Sequence, residues 1–140
     1  MAVTATPIYP QTINPTVARI QNSDSTNKVT LYTAGTNGCR ISNIMVTSTE
    51  TSSAKSLAFY ITSSGTDYLI GTVNIPANSG FTTSAATVFP IATTQFVSLD
   101  VDANGNRYFT LKSGQVLKAS VAVAMTSGKF MDFYIGAGEY

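Results

Sequence analysis

Two patterns in this 140-residue chain bring together side chains capable of chemistry. Ser52-Ser53-Ala54-Lys55 matches S-x-x-K, in which a lysine amine activates a serine hydroxyl. In the penicillin-recognising enzymes that pattern opens a helix and is completed by S-D-N and K-T-G elements. Neither occurs here, so a loop in a serine-rich chain is the better reading. Asp100-Val-Asp102-Ala-Asn104-Gly105-Asn106 places oxygen ligands at alternate positions with glycine sixth, as a calcium loop begins. The twelfth position, which should supply a bidentate Glu, is Leu111. Asp100, Asp102 and Asn104 are thus candidates for weak calcium binding only. A tight hairpin selects the same Asp and Asn residues for its own backbone hydrogen bonds.

The chain has no histidine, which removes the Ser-His and Cys-His nucleophiles, the commonest general base and the commonest metal ligand. Asp100 and Asp102 would share one strand face, whereas glycosidase carboxylates flank the substrate from separate positions. Asp24, Glu50, Asp67, Asp132 and Glu139 are dispersed along the sequence. Cys39 is the only cysteine; it reads as a small buried hydrophobe in a protein folded in a reducing cytoplasm. No catalytic residue and no cofactor are expected, and the chain is read as a structural or binding protein.

Charged residues make up 11% of the chain, against roughly a quarter in ordinary soluble domains. Ser and Thr supply about a quarter of all residues instead. Such a surface can be packed against neighbours without stranding many charges. The net charge is +1 and the eight basic residues are scattered, so direct nucleic-acid binding, which needs clustered cations, is not expected. Anionic membranes are disfavoured for the same reason. The start lacks the basic and apolar regions of a signal peptide, and no apolar run is long enough to span a bilayer. The chain is therefore expected to be soluble where it is made.

The elements that must carry these residues read as strands. Val29, Leu31 and Thr33 alternate with Thr30 and Tyr32; Ile44, Val46 and Ser48 alternate with Met45 and Thr47; Leu57, Phe59 and Ile61 form one face of a third run. Runs over 68–75, 96–101, 107–112, 116–125 and 130–137 complete the series. Asn37-Gly38 and Asn104-Gly105 favour turns with two positive φ angles, and Ser64-Gly65, Ser79-Gly80, Ser113-Gly114 and Ser127-Gly128 mark further reversals. The expected fold is an all-β antiparallel sandwich over 16–140, a jelly roll or related Greek key. Pro7, Pro10 and Pro15 make residues 1–15 extended: either an arm outside the fold or an edge strand folded back on its own domain. Residues 76–94 read as a long connection between sheets anchored by Phe81 and Phe89, and a surface-exposed Phe81 would make it a contact site. Tyr60, Tyr68, Tyr108 and Tyr134 offer either an aromatic platform or core filling; core is the reading for most of them.

Several segments resemble small proteins encoded among the structural genes of tailed bacteriophages. They are Met1-Ala-Val-Thr-Ala-Thr-Pro-Ile-Tyr-Pro-Gln-Thr12, Ile41-Ser-Asn-Ile-Met-Val-Thr-Ser-Thr49 with Leu57-Ala-Phe-Tyr-Ile-Thr62, Gly65-Thr-Asp-Tyr-Leu-Ile-Gly-Thr-Val-Asn-Ile-Pro-Ala-Asn78, and Asp102-Ala-Asn-Gly-Asn-Arg-Tyr-Phe109. The resemblance covers most of the chain and rests on strand and turn patterns. It implies a virion structural protein of the capsid decoration, or cement, type. Such a protein is made in the host cytoplasm, sits on the capsid exterior, and has as partners the major capsid protein and copies of itself in a homotrimer. Ile8 and Tyr9 in the arm and Phe81 in the long loop are the expected interface anchors. The alternatives are a tail, neck or fibre-associated component, or a carbohydrate- or receptor-binding module. Glycan binding should group aromatic and Asn/Asp side chains on one exposed loop set.

Overall fold

A computed structural model describes residues 9–93 and 99–140. Among these residues ten strands run in chain order: β1 (Thr12–Ile13), β2 (Thr16–Gln21), β3 (Val29–Thr33), β4 (Cys39–Ser48), β5 (Lys55–Ser63), β6 (Thr66–Ile75), β7 (Asp100–Val101), β8 (Arg107–Leu111), β9 (Val116–Val121) and β10 (Phe130–Glu139). All strand pairings are antiparallel, and they make two sheets. In the first, β10 lies between β4 and an edge shared by β1 and β2, and β4 continues to β8 and β7. The second has the order β3-β9-β5-β6.

The alternation expected from the sequence sets which face is buried. Along β10, Met131, Phe133, Ile135 and Ala137 turn inward, while Asp132 and Tyr134 turn outward. Leu57 and Phe59 on β5 and Leu117, Ala119 and Val121 on β9 do the same in the second sheet, and the inward residues of both sheets form one apolar core. Ile44, Val46 and Ser48 are buried as the alternation requires. Strict alternation fails at two bulges. Leu31 and Tyr32 are both buried because the β3 register shifts against β9 between Thr30 and Tyr32. Ile41 and Ile44 both face the core, three apart, because β4 carries an extra residue opposite the Gly136/Ala137 step of β10.

Turn chemistry also departs from the expectation in one respect. Asn37-Gly38 and Asn104-Gly105 have positive φ only at the glycine, whereas the hairpin joining β5 to β6 has it at both Ser64 (50°) and Gly65 (80°). A two-residue hairpin needs that twist; the other two loops are longer and do not. The N-terminal stretch takes the edge-strand alternative from Gln11 onward. The Gln11 amide donates to the Glu139 carbonyl at 2.7 Å and the Asn14 amide to the Ala137 carbonyl at 3.0 Å. Its end is fastened by the buried Tyr32, which donates to the Glu139 carboxylate and accepts from Asn14 Nδ2 at 3.1 Å.

The segment after β6 crosses to the first sheet, as expected, but its anchors differ. Phe81 is 62% exposed and Phe89 44%, while Ser79, Pro90 and Ile91 are buried. Val88 exchanges backbone hydrogen bonds with Val46, at 2.8 and 3.1 Å, beyond the end of β8 on the same edge of β4. Ser79 is fixed by hydrogen bonds, its hydroxyl donating to the Pro76 carbonyl and its carbonyl accepting the Ser48 amide, both at 2.8 Å. Gly80 has φ +66°, and a Cβ there would lie 2.5 Å from Thr87 Oγ1 and 2.7 Å from Thr47 Cγ2. Gly80→Ala is therefore expected to cost about 1–3 kcal/mol, read as a lower urea midpoint with an unchanged slope. No helix among the described residues is long and apolar enough to cross a membrane.

Candidate functional site

Of the S-x-x-K residues, Ser52, Ser53 and Ala54 lie in the loop entering β5 and Lys55 is the first residue of that strand, so the pattern does not open a helix. Ser52 Oγ donates to Glu50 Oε1 at 3.2 Å, and Lys55 Nζ donates to the Ala124 carbonyl at 2.9 Å and lies 3.5 Å from Glu50 Oε2. The lysine is thus a buried counter-ion, with its protons directed at acceptors. Glu50 is completely buried. Burial alone would raise its pKa. The Thr126 amide and hydroxyl, Lys55 and Ser52 outweigh that and hold its carboxyl down at about 2. The sequence, read as a set of dispersed acids, gave no hint of this pair.

Around the calcium candidates, Asp102 Oδ1 accepts the amides of Asn104 and Asn106, both at 2.9 Å, and Oδ2 accepts Arg40 Nη2 at 3.0 Å. The Asn106 and Asn104 amides keep this carboxyl below the usual range, against its partial desolvation. Asp102 therefore closes its own hairpin with oxygens already engaged by donors. Among the described residues no group of three or more His, Cys, Asp or Glu side chains could hold a metal ion. Cys39 is buried, and its thiol is pushed up to about 11 by burial and by Glu139.

The most distinctive surface is the outward face of the first sheet. Strand register places Val17, Tyr134 and Met45 side by side in one row across β2, β10 and β4. The next row is Arg19, Asp132 and Thr47, in which Arg19 Nε and Nη2 grip Asp132 at 2.6 and 2.8 Å while the guanidinium stacks over Phe130 at 3.8 Å. These two rows line a hollow of about 550 Å³. A second hollow, of about 530 Å³, shares Tyr134 and is walled by Tyr9, Ile13 and Pro15 over a floor that includes Gly136 and Gly138. Pro10 packs so closely that a Cβ on Gly138 would lie 2.6 Å from its Cβ. Ile13 is 88% exposed, Val17 75%, Tyr9 69% and Tyr134 40%. Isolated exposed apolar residues are ordinary, but a contiguous set on one sheet face marks a contact surface.

Of the expected anchors, Tyr9 belongs to this face, Phe81 lies on the long loop outside both hollows, and Ile8 falls outside the described residues. Of the four tyrosines assigned mainly to core, none is buried: Tyr60 and Tyr108 are half-buried, and Tyr68 and Tyr134 are exposed. Strand parity turns Tyr60, Tyr108 and Tyr134 away from the buried Phe59, Phe109 and Phe133 beside them, and cations cover two of the three, whereas Tyr68, opposite Ile61, is exposed near the hairpin end of the edge strand β6. Lys28 lies over Tyr60 at 4.4 Å and Arg40 over Tyr108 at 4.0 Å. The buried tyrosine is Tyr32. Ile13, Val17 and Met45 carried no signal of function by themselves; the parity of Tyr134 against Phe133 and Ile135 was the usable one. No protein-family model matches this chain, and comparison with curated proteins gives no match, so the reading of this face rests on its own geometry.

Proposed function

We propose that this chain is a non-enzymatic structural protein of a tailed-bacteriophage virion, of the capsid decoration type, which packs on the outer shell and on copies of itself in a homotrimer. The observation that carries this reading is the exposed apolar set Tyr9, Ile13, Val17 and Tyr134 on one sheet face. Tyr9 and Pro10, at the start of the described residues, line a hollow on that face, so a neighbouring shell surface can engage the N-terminal stretch and the face together. The low charge of the chain suits such packing, since few ions lose water on contact. A jelly-roll sandwich is the matching scaffold. With the two-residue strands β1 and β7 set aside, the orders β2-β10-β4-β8 and β3-β9-β5-β6, in which successive strands alternate between sheets except at the β5–β6 hairpin, support it.

Mass photometry of the purified protein, followed by co-sedimentation with capsids, tests the reading. The intact chain is expected to be trimeric and to pellet with capsids. Val17→Asp, and separately removal of residues 1–8, are each expected to reduce pelleting by about ten-fold, as the loss of a central contact does. A monomer that stays in the supernatant overturns the decoration role and favours a tail, neck or fibre-associated component.

A further inference from the structure

A second cleft, of about 340 Å³, opens between the Ser42-Asn43 bulge of β4, the 102–107 hairpin and the Phe89–Ala92 turn. We propose that it binds a saccharide bearing a carboxylate, with the acid on Arg107, the sugar ring on Phe89, and the hydroxyls on Asn43 and Asn106.

Charge is the first ground. Arg19 and Arg40 each have an aspartate partner and an aromatic ring beneath them. Arg107 is half-buried and has no carboxylate partner among the described residues; it is held by one bond, from Nη1 to the Thr93 carbonyl at 3.0 Å. A guanidinium carries five donors in a planar fork, so Arg107 retains donors suited to a bidentate carboxylate. Asp102, the acid nearest in sequence, is occupied by hairpin amides and Arg40.

The remaining lining matches the rest of such a ligand. Phe89 is 44% exposed beside buried Ile91, giving an apolar wall against which the C–H face of a sugar can lie. The Asn43 side-chain amide makes no hydrogen bond with another described residue, and Asn106, whose Nδ2 gives one donor to Asp102 at 3.4 Å, keeps its amide oxygen and a second donor, so both can meet sugar hydroxyls. Ser42 and Asn43 reach this cleft because of the β4 bulge, which breaks strict alternation there. An aromatic and an amide from two loops thus meet a second amide from the bulge of β4. The cleft is small for a peptide and suits one or two sugar rings.

Binding of the intact protein to an array of uronate- and sialate-bearing glycans, printed beside their neutral counterparts, tests this. The best-retained acidic glycan and its methyl ester are then titrated against the ¹⁵N-labelled protein. Saturable shifts are expected at Asn43, Phe89, Asn106 and Arg107, with affinity falling about ten-fold or more for the methyl ester and for Arg107→Gln. Phe89→Ala should weaken binding with its melting temperature retained, which guards against misreading an unfolded Arg107→Gln. Retention of no acidic glycan above the neutral ones overturns the proposal, as does binding that Arg107→Gln and Phe89→Ala both leave unchanged.

Discussion

Glu50→Ala is expected to destabilise the protein by about 3–5 kcal/mol, because it leaves Lys55 as a buried charge without its counter-ion. The substitution removes more than the ion pair. Glu50 accepts from the Thr126 amide at 3.0 Å, the Thr126 hydroxyl at 2.9 Å and Ser52 at 3.2 Å. It thereby joins the exit of β4 to the loop between β9 and β10. The same corner is knitted by Thr49 Oγ1, which accepts the Phe130 amide at 2.9 Å, and by the Glu50 carbonyl, which accepts the Asn78 amide at 2.7 Å. Replacing both charges, as Glu50→Leu with Lys55→Met, is expected to recover part of the loss, since neither ion then has to be desolvated. Urea unfolding of the three proteins at pH 7 measures this, and a Glu50→Ala midpoint equal to that of the wild type would refute it. The pH dependence has a fixed sign. The folded carboxyl titrates at about 2 and its ordinary value is 4.5, so the unfolded chain binds the extra proton. The contribution is complete above about 4.5 and is lost as pH falls towards about 2. The gap between wild type and Glu50→Ala should narrow over that interval.

Most of the strands and their inward faces were legible because period-two alternation in a chain of two sheets leaves little choice of register. Bulges broke the inference where they broke the period: Leu31 with Tyr32, and Ile41 with Ile44. A bulge is a tertiary accommodation between paired strands, and neither strand announces it alone. In sequence Glu50 is one of several dispersed acids and Lys55 the end of a serine-rich loop pattern, because their burial depends on Thr126 and Ala124, about seventy positions away. The apolar face was hidden for a different reason. Val17, Ile13 and Tyr134 come from opposite ends of the chain and become neighbours only through β10. The sequence offered its prolines and Tyr9 as the visible part of that surface.

Phe133 and Tyr134 are adjacent on β10 and should separate stability from association. Phe133 is 2% exposed, in the central strand of the sheet, with Ala18 and Val46 as cross-strand neighbours. Phe133→Ala leaves a cavity that the flanking strands cannot close without moving their own core residues, and is expected to cost about 3–5 kcal/mol. Tyr134 points the other way, 40% exposed, between Val17 and Met45. Tyr134→Ala gives up only cross-strand contact at the surface, about 0.5–1 kcal/mol, yet removes the residue common to both hollows. Its expected phenotype is a melting temperature close to wild type with self-association and capsid pelleting reduced. Phe133→Ala should lower the melting temperature sharply, while the fraction that remains folded at low temperature still associates. Differential scanning calorimetry alongside mass photometry reads both properties on each variant. Equal loss of stability in the two would mean that Tyr134 belongs to the core. Unchanged association of a folded Tyr134→Ala protein would mean that this face is not where copies of the chain meet.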